Sequence, residues 1–185
     1  MLDIRYLAGL FDGEGCVHIP VQRRADLRVP NYGIRAVFCL TNREVVQKIA
    51  EQYGVSFCKM KKSASNQNWA DAYQVQICGN RAAKFFADIL PYSIVKIECI
   101  KVALRLQDDI ARYRRSHWMK FSREQMNSVI EYREGLRLQL KALNARGGAS
   151  VGMLANSGDI PCPVRKDAEG QSRAKQAGLR LAGRV

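Results

Sequence analysis

A single α+β domain with elements in the order α-β-β-α-β-β-α-α-α is predicted by three observations. The chain opens on an apolar pattern of helical period, Ile4, Leu7, Leu10 and Phe11, that stops at Gly15. Two pairs of runs then alternate between apolar and polar residues, each pair followed by a helix signal. Further on, before residue 145, apolar stripes recur at helical spacing.

The opening helix holds Gly9 and Gly13, four residues apart and so on one face. Glycine inside a helix costs about 1 kcal/mol against alanine, so two of them need an offsetting gain. A residue without Cβ lets another backbone approach closely, and a second helix pressed on that face supplies the gain. Glu14 comes next, at the carbonyl-rich end where the helix dipole disfavours an acid. A carboxylate there needs a cation. A twofold-related copy of the helix would bring two Glu14 side chains together and favour a divalent metal.

Residues 16–24 alternate, with Val17, Ile19 and Val21 on one face and His18, Gln22 and Arg24 on the other, interrupted by Pro20. A loop through Asp26, Pro30 and Asn31 leads to a second run, 33–40, in which Ile34, Ala36, Phe38 and Leu40 oppose Gly33, Arg35, Val37 and Cys39. Thr41-Asn42-Arg43-Glu44 reads as a capping box opening a helix through Val45, Val46, Ile49 and Ala50, which Gly54 ends. A second hairpin is predicted from 55–61 and 70–78, joined by a polar connection. On its first strand Phe57, Lys59 and Lys61 share a face; on its second, Gln74 and Gln76 alternate with Tyr73, Val75 and Ile77. Asn80 is placed to cap a helix through Phe85, Phe86 and Ile89, halted by Pro91, and Ser93 to start a longer one. Ser122 to Gln125 is another capping box, ahead of Met126, Val129, Ile130, Leu136, Leu140 and Leu143.

From Ala145 onward the composition turns to Gly, Ser, Ala and Pro with scattered basic residues. The expected division is one domain over 1–144 and a flexible basic tail over 145–185.

A chain of 185 residues with 47% hydrophobic content can bury a substantial core. Its formal charge of +13 and pI near 9.8 imply a polyanionic partner, most simply nucleic acid. A ribosomal or membrane-surface protein would satisfy the charge alone. There is no apolar run long enough to span a bilayer, and Asp3 and Arg5 interrupt the N-terminal apolar stretch, so no membrane association and an intracellular location are expected. Six cysteines without CxxC spacing and two histidines, His18 and His117, give no zinc pattern; reduced thiols in core or groove positions are expected.

The stretch Leu7-Ala8-Gly9-Leu10-Phe11-Asp12-Gly13-Glu14-Gly15 resembles the signature of the LAGLIDADG homing endonucleases, matching six of nine positions. Phe11, Gly13 and Glu14 are the departures, and Glu14 stands where the family most often has its metal-binding aspartate. The resemblance covers about residues 1–114 and implies the family's αββαββα core, here with added C-terminal helices, and a saddle-shaped antiparallel sheet that holds DNA in its major groove.

With one motif in the chain, the resemblance implies a homodimer meeting through the face of Ala8, Gly9, Asp12 and Gly13. It would cut both strands of a long, nearly palindromic double-stranded DNA target with Mg2+, and such proteins are usually encoded within introns or inteins. Glu14 becomes the metal ligand, helped by the Gly13 carbonyl. Asn42 matches the position that orients water, where glutamine is commoner, and it reads equally well as a helix cap. Lys96, following the proline, matches the lysine that organises solvent or stabilises the transition state; a solvated helix lysine is the plain alternative.

Asp12 is expected to act through hydrogen bonds to backbone rather than on metal. His18, Gln22, Arg24, Arg35, Lys59, Lys61, Gln74 and Gln76 are the candidate DNA contacts, cations for phosphate or guanine and amides for adenine. An intron-RNA maturase and a catalytically silent DNA-binding regulator are the rival functions on this scaffold.

Overall fold

The computed structural model describes residues 1–23, 29–62, 68–113 and 120–147, with only the backbone of 146 and 147. Arg24, His117, Cys162 and the tail beyond 147 lie outside the described residues. Five helices are described: α1 (Ile4–Glu14), α2 (Arg43–Tyr53), α3 (Gly79–Ile89), α4 (Ile97–Arg112) and α5 (Arg123–Gly147). The strands are β1 (Gly15–His18), β2 (Val21–Gln22), β3 (Asn31–Tyr32), β4 (Arg35–Leu40), β5 (Phe57–Lys59) and β6 (Tyr73–Cys78).

β1, β4, β6 and β5 form, in that order, a four-stranded antiparallel sheet, while β2 and β3 pair as a separate short ribbon. The split of the predicted 16–24 strand falls at Pro20, which has no N–H to donate to a ladder. Its carbonyl instead accepts from Gly33 N at 3.2 Å, closing the ribbon.

Alternation assigns the two sheet faces. Val17, Ala36, Phe38, Val75 and Ile77 are fully buried on the side that packs against the helices. There they meet Leu7 and Phe11 of α1, Val46 and Ile49 of α2, and Phe85, Phe86 and Ile89 of α3. The Phe11 ring is the hub, with centroids 5.2 Å from Phe38, 5.1 Å from Phe85 and 5.8 Å from Phe86. The edge-to-face pairs with Phe38 and Phe85 suit aromatic quadrupoles and add to the stabilisation from buried area.

Phe11 also explains Gly15. That residue ends α1 with extended backbone (φ −84°), so no left-handed turn demands glycine there. A Cβ at this position would instead stand inside the Phe11 ring. Because the ring is hemmed in by three others, Gly15→Ala is expected to destabilise the fold by about 1–3 kcal/mol, read from chemical denaturation.

Several helix ends follow sequence rules. Asp3 caps α1, accepting from Arg5 N at 2.8 Å. Gly54 ends α2 in the left-handed region at φ 61°, where glycine carries no penalty. The Ser122 and Gln125 box closes in both directions, at 3.0 and 3.2 Å.

Two predicted starts are displaced. Asn80 lies inside α3 and accepts from Gln107 of α4 at 2.9 Å, while Cys78 holds the N-cap position. Ser93 does not open α4, which begins at Ile97 because residues 93–96 are bound to Asp12.

α5 packs along α4 through the ion pair of Arg133 with Asp109 at 2.6 Å, both nearly buried. Asn144 reaches the Val17 carbonyl of β1 at 3.0 Å, and Tyr32 of β3 donates to Glu134 at 3.0 Å. The helix beyond the αββαββα core thus fixes the strand and ribbon it crosses.

Candidate metal-binding helix end and nucleic-acid interface

α1 has two faces of opposite character. Leu7, Ala8 and Phe11 are buried in the core, whereas Gly9 and Gly13 are exposed and a Cβ on either would meet nothing within 4 Å. Ala8 is therefore not on a surface offered to a partner, contrary to the sequence expectation. It lies 100° around the helix from Gly9, on the side its own core covers.

Asp12 is bound within its own chain. Its carboxylate accepts from Ser93 Oγ at 2.5 Å, from Ile94 N at 2.5 Å, and from Val95 N and Lys96 N at 3.1 Å each. Burial would raise its pKa, but the hydrogen bonds, led by Ile94 N, outweigh burial and hold the carboxyl below its ordinary value. The backbone-binding role expected for Asp12 is met by residues more than eighty positions away in the chain.

That cradle aims Lys96. Its Nζ donates to the Asp12 carbonyl and lies 5.9 Å from the centroid of the Phe11 ring. A cation at the C-terminal end of α1 meets the negative end of the helix dipole. Burial pulls its pKa below that of a free lysine, opposed by the charges of Asp12 and Glu14. The fold thus brings Lys96 within electrostatic reach of Glu14, itself exposed.

Asn42 stands just past β4, whose register with β1 (Gly15 opposite Phe38) runs toward the same helix end. Its Oδ1 accepts from Val45 N at 3.1 Å and caps α2. The cap falls one residue later than the box read from Thr41.

Oxygen donors suit a hard divalent ion, and Mg2+ commonly takes one or two carboxylates together with substrate phosphates. Glu14 and the Gly13 carbonyl fit that requirement. Among the described residues, no three acidic, His or Cys side chains of one chain converge on a metal position.

The sheet face turned away from the helices is set out in rows by strand register. His18, Arg35 and Cys78 form the row farthest from α1; Cys16, Val37 and Gln76 the next; Cys39, Gln74 and Cys58 the row nearest Glu14. Arg35 is half-buried in this face, with its Nε buried and without a hydrogen-bond partner, and a guanidinium suits a guanine or phosphate acceptor. Gln76 donates to Gln74 at 2.7 Å, and Gln74 keeps only 7% exposure, so Gln76 presents the amide pair in place of the predicted Gln74. Gln22 and its register partner Asn31 are exposed on the ribbon.

Lys59 is not on this open face. Its register partner is Tyr73, and alternation puts it on the side of Phe57 and Val75, where it pairs with Asp71 at 2.5 Å. Asp71 also holds Lys62 at 3.1 Å. Lys61 is exposed beyond the end of β5. Val37 and Cys39, not singled out from the sequence, share the parity of Arg35, and Cys58 lies opposite Gln74, so all three belong to this face.

Residues 2–91 match the family model of the LAGLIDADG-like domain. These residues form a LAGLIDADG-like domain. Its fold, a four-stranded antiparallel sheet backed by helices, is that of solved LAGLIDADG homing endonucleases. The archaeal intron-encoded homing endonuclease I-Vdi141I, complexed with DNA, has a TM-score of 0.59 at 14% identity, over 76% of this chain and 82% of that one. The homing endonuclease I-CvuI, in complex with its target in the presence of calcium, has 0.57 at 17% identity, over 76% and 80%. I-GzeII, with its DNA target, has 0.56 at 10% identity, over 74% of this chain but 44% of that one. None of the curated proteins compared matches the sequence. No helix among the described residues is long and apolar enough to cross a membrane.

Proposed function

We propose that this LAGLIDADG domain is a site-specific, double-strand DNA endonuclease that works as a homodimer, with Mg2+, on a long pseudo-palindromic target. The observation that carries the reading is the glycine face of α1, exposed and unopposed in one chain, with the Glu14 carboxylate at its end. Ile94 and Val95, whose N–H groups bind Asp12 of α1, are 83% and 73% exposed next to that end. Water is a poor neighbour for such a patch, and a second copy would cover it.

In the dimer, Glu14 of each subunit, with the Gly13 carbonyl, would hold the ion beside one strand. When bound, the ion polarises the scissile phosphate and makes water a stronger nucleophile at neutral pH. Lys96 places a cation beside Glu14, where negative charge develops on the phosphate and leaving oxygen. Asn42 offers its amide N–H groups to water while its oxygen caps α2. Arg35, Gln76, His18 and Gln22 line the surface over which the duplex would lie.

The test is incubation of the full chain with a randomised duplex library and Mg2+, with Gly9→Leu in parallel. The parent is expected to pair and to cut both strands at an enriched site. Gly9→Leu has open space in its own subunit, so it is expected to stay folded and to lose pairing and cleavage together. Cleavage by a Gly9→Leu monomer would reject the seam, and binding of structured RNA without any cutting of DNA would reject the nuclease.

A further inference from the structure

The open sheet face changes character along its length. The row farthest from α1 carries His18 and the cation Arg35, while the rows nearer Glu14 carry Val37, Cys16, Cys39 and Cys58 around the Gln76 and Gln74 pair. Burial, then the neighbouring Cys58 and Glu14, pushes the Cys39 thiol up. Cysteine side chains in such positions behave as small, largely apolar groups.

In the major groove only thymine presents a methyl group, and apolar side chains recognise it by contact. A G·C pair opposite the same side chains would give up water from its polar edges without a replacement hydrogen bond. The amide pair adds the complementary half. Once Gln76 has donated to Gln74, its Oε1 and remaining N–H offer the acceptor and donor that adenine N6 and N7 require. An A·T pair is thus addressed on both bases.

Resting on the endonuclease reading above, we propose that Val37, Cys39 and Cys58 select thymine by its 5-methyl group, so that each half-site carries A·T pairs on its inner side, nearest Glu14. Guanine, opposite Arg35, belongs further out. Adjacent rows are two residues apart, about 6.6 Å, which is roughly two base-pair steps.

The experiment is selection of the full chain on a randomised duplex library without divalent metal, followed by affinity measurement on the enriched site made with thymine or with deoxyuridine. Inner A·T pairs are expected, and each inner uracil is expected to weaken binding about fourfold, the loss of one buried methyl. Uracil at outer positions is expected to change nothing. Val37→Ser should bring the thymine-to-uracil ratio toward one; the uracil duplexes alone decide the matter if that variant folds poorly. Inner G·C pairs, or equal affinity for thymine and uracil duplexes, would overturn the proposal while leaving the DNA-binding reading in place. A chain that enriches no duplex at all would overturn both.

Discussion

Glu14→Gln is expected to lower Mg2+-dependent cleavage by about three orders of magnitude while leaving the affinity for the enriched duplex within about twofold. The amide keeps the size and polarity of the side chain but removes the charge that holds a divalent ion, and the lost stabilisation of transition-state charge is worth several kcal/mol. Glu14 is exposed at the end of α1 and outside the buried core, so the variant should fold like the parent. Nicking of supercoiled plasmid reads the rate, and gel-shift titration reads the affinity. Cleavage within tenfold of the parent would remove Glu14 from the chemistry.

Asp12→Ala is expected to cost about 3 kcal/mol of stability, because one ionised acceptor serves Ser93 Oγ and the N–H groups of Ile94, Val95 and Lys96. The four bonds do not count equally. Ile94 and Val95 are exposed and can return to water, whereas Ser93 is buried and Lys96 half-buried, so most of the loss falls on the latter two. Denaturant titration measures the change. The same variant should lose cleavage at temperatures where it is still folded, since the cradle that aims Lys96 at the end of α1 is gone. A stability loss under 1 kcal/mol would show that the segment 93–96 is held by other means.

What could be read from the residues was local. Gly54 as a stop and the Ser122 box depend on neighbours within a turn, and the alternation that defines β4 and β6 is carried by the strands themselves. The glycine face of α1 was legible for the same reason, from the spacing of Gly9 and Gly13. The misplaced features were set by distant partners. The start of α4 moved from Ser93 to Ile97 because a carboxylate on α1 captures the intervening N–H groups. Lys59 turned from groove contact to partner of Asp71 because pairing of β5 with β6 decides which face it occupies.

The candidate site shows the same division. Glu14 and Lys96 lie far apart in sequence, and a motif resemblance connected them before geometry did. Ala8 fell inside the core because the motif names a helix and not a face, and a single helical step separates Ala8 from Gly9. Gly15 was legible as a helix stop, but the need for glycine there comes from the ring of Phe11. The thiol-rich inner rows went unremarked because cysteine carries no charge or amide to draw attention, and only register with Arg35 and Gln76 places them on the open face.

The central claim is that two chains meet along α1 so that two Glu14 carboxylates serve one duplex. The most direct measurement is the mass of the full chain free and on its enriched duplex, by sedimentation equilibrium. Two chains of 20.9 kDa per duplex are predicted, with Gly9→Leu reduced to one. A parent protein that remains a single chain on DNA, and still cuts both strands, would contradict the account.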